Sequence, residues 1–254
     1  MMEAVLRVQG LCKRYPEFSL EDVSFSLAPN HIMGLIGKNG AGKSTTLKSI
    51  LNMVSPERGH VEMFQTDFYA HEKACKQRIG VVFGGIDFYP LKKLSAITAV
   101  TRTFYADWNQ AQYQKYIQRF ALDERKKFKE LSNGMKVKYL LALALSHHAE
   151  LLILDEPTSG LDPVSREELL HSFRQIVKHE NCSILFSTHI TSDLDKCADD
   201  ITYIQNGRVL ESADKATFLR AFDHLKTPED PGPLTLEEIM LRTERSAWDD
   251  DAAV

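Results

Sequence analysis

Gly37-Lys38-Asn39-Gly40-Ala41-Gly42-Lys43-Ser44-Thr45 fits the pattern G-x-x-x-x-G-K-[ST]. It follows an apolar run, His31-Ile32-Met33-Gly34-Leu35-Ile36, and leads into a helical pattern over residues 44–53. A strand, a glycine-rich loop and a helix in that order read as a phosphate-binding loop. Glycines let the backbone curl until successive N–H groups face one centre, a nest for anionic oxygens. The following helix adds the positive end of its dipole, and Lys43 adds a full charge. Ser44 offers a hydroxyl to Mg2+. The competing reading is a glycine-rich turn before a core helix, and the flanking context weighs against it.

A second stretch, Leu151-Leu152-Ile153-Leu154-Asp155-Glu156, supplies acidic groups. Four consecutive apolar residues read as a strand buried on both faces, as in a parallel sheet. Asp155 and Glu156 then fall at its carboxyl end, where open α/β sheets place their ligands. Adjacent strand residues point to opposite faces, so the two carboxylates should have different tasks. Asp155 reads as the outer-sphere Mg2+ anchor and Glu156 as the group that orients and polarises an attacking water.

The 254 residues are enough for one domain with an insertion or for two small ones. Hydrophobic content of 43% and charged content of 26% are ordinary for a globular protein. A formal net charge of −4 argues against a general nucleic-acid binder. No stretch approaches the ~18 apolar residues of a membrane span, and the first residues lack the apolar core of a signal peptide. Cys12, Cys75, Cys182 and Cys197 show no paired metal-ligand spacing, so free thiols in a reducing cytoplasm are expected.

Val5-Leu6-Arg7-Val8 and Val23-Ser24-Phe25-Ser26-Leu27 alternate like antiparallel strands, with Tyr15-Pro16 in the turn region. Strands are also expected at 60–64 and 78–83. Strand signals then vanish from Leu94 to His148, where helices are expected at 95–106, 109–121 and 132–147. The α/β alternation resumes with a helix over 163–180, a strand over 183–187 and a short helix over 190–196. A hairpin around Asn206-Gly207 and a helix over 214–222 follow. Past Thr227 a Pro-Glu-Asp-Pro-Gly-Pro linker precedes a short amphipathic helix over 234–242. This end is expected to be a partly ordered tail, although Leu236, Ile239 and Met240 form a stripe that can dock.

Three further segments narrow the class. Leu131-Ser132-Asn133-Gly134-Met135 opens a helix at which Ser132 is a good N-cap, presenting free N–H groups and a positive dipole end. Ser159-Gly160-Leu161-Asp162 lies just beyond the acidic pair, and Thr188-His189 follows another strand at its carboxyl end. In this order, these motifs make the chain resemble the nucleotide-binding subunit of an ABC transporter over about residues 4–222.

That resemblance implies an α/β fold: a P-loop NTPase (RecA-like) core with an antiparallel β subdomain and an inserted α-helical subdomain. It implies a nucleotide-binding domain over 1–222, with the helical subdomain near 86–149, and a linker and helical tail over 223–254. It also implies ATP and Mg2+ as cofactors, with two domains trapping two ATP molecules head to tail, as a homodimer or a heterodimer. Tyr15 would stack on adenine, while Gly37, Asn39, Gly40, Gly42, Lys43, Ser44 and Thr45 would hold phosphates, Ser44 with Asp155 also holding the metal. Ser132 and Gly134 would reach the γ-phosphate of the opposite subunit's ATP, Asp162 would lie in the loop linking the two sites, and His189 would hold the γ-phosphate beside the catalytic Glu156.

The sequence departs from the family where a glutamine normally ends the strand before the helical insert; here Gly84 and Gly85 follow Phe83, and the Mg2+ contact must come from water, backbone or a neighbour such as Asp87. Asn133 and Met135 replace the signature's usual glycine and glutamine; Asn133 is expected to tolerate an unusual backbone angle, and Gly134 keeps the close approach. Such variants resemble the bacterial ABC-2-like subfamily, whose systems often export antimicrobial peptides, toxic peptides or lipids, or give self-immunity. The leading expectation is an ATPase that powers a separately encoded membrane permease, peripheral on the inner face of the cell membrane, touching it only through that permease. The alternatives are a soluble ABC-type ATPase with an assembly or regulatory role and a nucleotide-gated scaffold with little hydrolysis.

Overall fold

The computed structural model describes residues 4–83, 89–230 and 232–252, with side chains through residue 245. The chain begins with β1 (Leu6–Tyr15), β2 (Phe18–Leu27), β3 (Ile32–Ile36), α1 (Lys43–Ile50), β4 (Arg58–Met63), β5 (Thr66–Asp67), α2 (Glu72–Lys76) and β6 (Ile79–Phe83). The helices α3 (Leu94–Thr101), α4 (Gln110–Arg119) and α5 (Asn133–Ser146) follow. The remainder is β7 (Leu151–Asp155), α6 (Pro163–His179), β8 (Ser183–Thr188), α7 (Thr191–Cys197), β9 (Asp200–Gln205), β10 (Arg208–Asp214), α8 (Lys215–Ala221) and α9 (Leu236–Ala252).

Two sheets organise these elements. One is antiparallel, in the order β2-β1-β4-β5; the other runs β10-β9-β3-β8-β7-β6, parallel except for the β9–β10 hairpin. Every residue of β3, β7 and β8 is buried, as expected of strands covered on both faces. The two-residue period divides β7 between two cores: Leu152 and Leu154 join the helical side, while Leu151 and Ile153 face the antiparallel sheet and α1. Parallel register then sets the site, because Ile36 pairs with Thr188 and Asp155 pairs with Ser187. The loop after β3 and the carboxyl ends of β7 and β8 thereby meet at one edge of the sheet.

Between β6 and β7 the described residues contain helices and one isolated bridge, Lys93 with Lys127, as the loss of strand signal predicted. The first of these helices stops at Thr101 and continues only as a 3-10 turn, Arg102–Phe104. Buried tyrosines fill this layer. The Thr98 hydroxyl bonds those of Tyr113 at 2.8 Å and Tyr139 at 2.9 Å, which satisfies polar atoms inside an apolar cluster. All four cysteines are free and buried.

The C-terminal segment corrects the expectation of a partly ordered tail. Its helix extends to Ala252 rather than ending near residue 242, and Leu234, Leu236 and Ile239 are buried in the larger core. The linker composition hides an ordered turn: the Asp230 carboxylate accepts from Thr227 N at 2.6 Å and from both terminal nitrogens of Arg242 at 2.6 Å. That charge-assisted fork fastens helix to turn and holds the Asp230 carboxyl far below the usual carboxylate range.

One turn joins the two sheets. Asn206 and Gly207 have φ of 47° and 76°, the left-handed pair that a tight hairpin requires. Gly207 N donates to Ala41 O at 3.0 Å, and Gly207 O accepts from Glu21 N at 2.9 Å. A Cβ at Gly207 would lie 1.8 Å from Ser19 O, so only glycine lets these backbones approach so closely.

Candidate functional site

The glycine-rich loop runs from the end of β3 into α1. Gly42, the residue before the helix, has φ 112°, and Gly40 has φ 83°, so two of its glycines occupy backbone space closed to most side chains. A Cβ at Gly37 would fall 2.3 Å from Ile204 O, so this glycine packs the loop against β9. Asn39 and Gly40 are exposed at the tip, and Thr45 is half-buried in the first turn of α1.

Lys43 is 5% exposed, and its Nζ donates to Gly37 O at 2.7 Å and Lys38 O at 3.2 Å. The same ammonium lies 3.3 Å from Glu156 Oε1. Ser44 Oγ donates to Asp155 Oδ1 at 3.0 Å. The adjacent carboxylates therefore do point apart, Asp155 towards the serine and Glu156 towards the lysine. Glu156 has φ 48°, a left-handed conformation uncommon for a non-glycine residue and typical of strained functional positions. Its second oxygen, Oε2, accepts from His189 Nδ1 at 2.9 Å, so Lys43, Glu156 and His189 form one chain of contacts.

Sequence reading missed Ser187. Its Oγ donates to Asp155 Oδ1 at 2.6 Å and accepts from Glu156 N at 2.9 Å, and the residue is fully buried. The available signal was a buried polar residue directly after the apolar run Ile184-Leu185-Phe186, two positions before His189.

The other predicted residues lie in two places. Tyr15 is 42% exposed at the β1–β2 turn, with Lys13 Nζ 5.7 Å from its ring centre. Its neighbour Phe18 reaches Gly42, where a Cβ would lie 2.8 Å from Phe18 Cζ, so this hairpin tip abuts the loop. Ser132 caps α5, its Oγ accepting from Met135 N at 3.3 Å. Gly134 is buried beside Leu161 and Ser165, while Asn133 approaches Gly160. Asn133 is an ordinary helical residue without positive φ, so the tolerance of asparagine for unusual backbone is not used there. Asp162 caps α6, accepting from Val164 N at 3.1 Å and Ser165 N at 3.0 Å; the bonds from Ser165 chiefly lower its pKa. No described contact of Ser132 or Gly134 reaches the Lys43–Glu156–His189 group of the same chain. Gly84, Gly85 and Asp87 lie outside the described residues.

A curled loop of N–H groups, a buried ammonium and a helix N-terminus suit a polyphosphate. Ser44 and Asp155 are hard oxygen donors, and among the described residues no group of three or more His, Cys, Asp or Glu could hold a metal alone. Such a sparse donor pair fits an ion that keeps several waters and shares phosphate oxygens, as Mg2+ does.

Comparison with known sequences decides the matter: the family described as ABC transporter matches residues 20–159. The chain belongs to the ABC transporter family, as an ATP-binding subunit. It is 30% identical over 228 residues to the bacitracin transport ATP-binding protein BcrA of Bacillus licheniformis, covering 89% of this chain and 72% of that protein. It is 32% identical over 213 residues to the Nod factor export ATP-binding protein I of Ralstonia nicotianae, covering 80% and 65%. A solved ATP-binding subunit of an ABC transporter superposes with a TM-score of 0.81 at 27% identity, covering 94% of this chain and 99% of that one. The α/β P-loop architecture expected from the motifs is therefore the observed one. As in the rest of its family, the activity is that of an ATPase whose hydrolysis powers transport.

Proposed function

We propose that this subunit binds Mg2+-ATP between its own phosphate loop and the Ser132 end of α5 in a second subunit, and that hydrolysis drives a separately encoded permease. The observation that carries this reading is the convergence of Lys43, Glu156 and His189, with Asp155 held at Ser44 and Ser187.

In this mechanism Tyr15 stacks on the adenine, and the backbone of Gly37, Asn39, Gly40 and Gly42 with Thr45 surrounds the phosphates. Lys43 exchanges its contacts with the Gly37 and Lys38 carbonyls for phosphate oxygens. Ser44 and Asp155 would hold Mg2+, which when bound would neutralise phosphate charge. Glu156 orients a water for attack on the γ-phosphorus, and His189, already against Glu156, contacts the γ-phosphate. Ser132, Gly134 and Asp162 act across a dimer; Ser132, Asn133 and Val164 are exposed along that candidate interface, Val164 at 68%.

A permease is supported over a purely soluble role by one surface. Met53, Val81 and Val100 are exposed apolar residues at or beside a groove lined by Leu51, Phe83, Tyr105 and Leu140, where the core sheet meets the helical insert. An apolar patch of this kind marks a binding site for another protein, here a cytoplasmic helix of the permease. No helix among the described residues is long and apolar enough to cross a membrane, so membrane contact goes through that partner, at the inner face of the cell membrane. The named relatives support export, with a peptide, antimicrobial or lipid as cargo.

Glu156→Gln keeps the size of the side chain and removes its charge. It should leave ATP binding in place and lower turnover by about 10²-fold or more. Undiminished turnover in this variant, measured as phosphate release, removes Glu156 from the role assigned here.

A further inference from the structure

The C-terminal helix touches the phosphate loop, and nothing in the proposed hydrolysis uses that contact. Glu244, on α9, places Oε2 2.8 Å from Lys38 Nζ, and Lys38 is the second residue of the loop. The other oxygen, Oε1, accepts from the Tyr203 hydroxyl at 3.2 Å, and Gln205 Nε2 donates to Thr243 O at 3.5 Å. The end of β9 therefore braces the stretch of helix that carries Glu244. The glutamate side chain is only 12% exposed, against 42% for the lysine.

Two features keep the carboxylate from following Lys38 should the lysine move. Leu236 and Ile239 fix the start of the helix in the core, and Arg242 forks onto Asp230 one turn or less before Glu244. The lysine backbone, by contrast, belongs to the loop, since Lys38 O accepts from Ala41 N at 3.1 Å and from Lys43 Nζ at 3.2 Å. A braced anion thus holds a cation that would otherwise be free to turn towards a bound triphosphate.

We propose that Glu244 is an affinity-setting residue: it sequesters the Lys38 ammonium and places a negative charge beside an anion-binding loop, so that the docked C-terminal helix weakens nucleotide binding. This inference rests on reading residues 37–44 as the phosphate site. Both effects have the same sign for a polyanion, and both are screened by salt. Whatever holds α9 in place therefore also tunes how readily the loop loads.

The test is equilibrium binding of a non-hydrolysable ATP analogue with Mg2+ to the full chain at low ionic strength. Glu244→Gln retains the bond from Tyr203 while releasing Lys38, and should tighten binding by roughly three- to tenfold, the scale of one partly screened charge pair. Lys38→Met leaves the glutamate unpaired beside the loop and should weaken binding. In the double variant the gain from Glu244→Gln should shrink, and near 0.5 M salt the single-variant gain should largely vanish, because the screening length there is only a few ångströms. A purely structural contact would give unchanged or weaker binding on Glu244→Gln, and that result overturns the proposal, as does Lys38→Met binding at least as tightly as wild type. Lys43→Ala tests the underlying site separately: if it binds the analogue as well as wild type, the phosphate-loop reading itself fails.

Discussion

Asp155 and Glu156 are neighbours in sequence, yet their side chains answer to different partners, and Ser187 holds both from the adjacent strand. Its hydroxyl has one proton to give, and gives it to Asp155 Oδ1, the oxygen that also accepts from Ser44. Its lone pair takes the Glu156 N–H, which secures a backbone unit held at φ 48°. Ser187→Ala removes both restraints with little change in volume. By analogy with residues that orient metal ligands, the Mg2+ concentration for half-maximal turnover should rise about tenfold. Ser187→Thr, which keeps the hydroxyl, should recover most of the loss; an unchanged Mg2+ dependence in the alanine variant would leave Ser187 with a packing role only. The lysine, the serine and the acidic pair were legible because spacing along one segment states their geometry. Ser187 was not, because its role exists only once parallel register places it opposite Asp155.

Among the elements, α5 has an informative end as well as an informative beginning. Its cap residue His147 stacks on Tyr105 with ring centres 3.6 Å apart and planes within 8°. Its Nδ1 lies 3.1 Å from Gln77 O, so this nitrogen donates to the carbonyl. Burial disfavours the charged form and lowers the pKa from 6.5 to about 4. The unfolded chain therefore takes up a proton in a range where the folded chain does not. This contribution to stability is complete above pH 6.5 and is lost as pH falls towards 4, up to ~3 kcal/mol in all. His147→Phe keeps an aromatic face for Tyr105 and removes the titration. In urea unfolding at pH 7 and pH 4.5, wild type should lose more stability than the variant; equal losses would mean that His147 titrates normally. The helices of the insert were legible from their period and from Ser132 as a cap. Their shared tyrosine–threonine network was not, since Thr98, Tyr113 and Tyr139 come from three separate segments.

For the whole molecule, the described contacts leave the α5 N-terminus unconnected to the lysine cluster of its own chain, while α5 and the loop after Glu156 pack together through Gly134 and Leu161. If the chain forms a homodimer, each composite site takes one half from each copy. Lys43→Ala and Ser132→Glu should each abolish turnover alone. Mixed after dissociation, they should regain about a quarter of wild-type activity, because half of the dimers are mixed and each keeps one intact site of two. Absence of any recovery in a demonstrably mixed population would count against the shared site. At this scale the layered α/β arrangement was legible from the order of apolar runs. The C-terminal helix and its docking stripe, Leu236, Ile239 and Met240, were legible too, but its length and its polar contacts were not: its partners Lys38 and Tyr203 lie far earlier in the chain.

The turn at Asn206 and Gly207 looks like an ordinary surface hairpin, the kind of place chosen for grafting an epitope or a fluorophore. Its glycine is instead wedged between two other segments, with Ser19 O where a methyl group would have to go and Ala41 O taking its N–H. An insertion there would pry the nucleotide loop away from the second strand, so labels for this protein belong elsewhere.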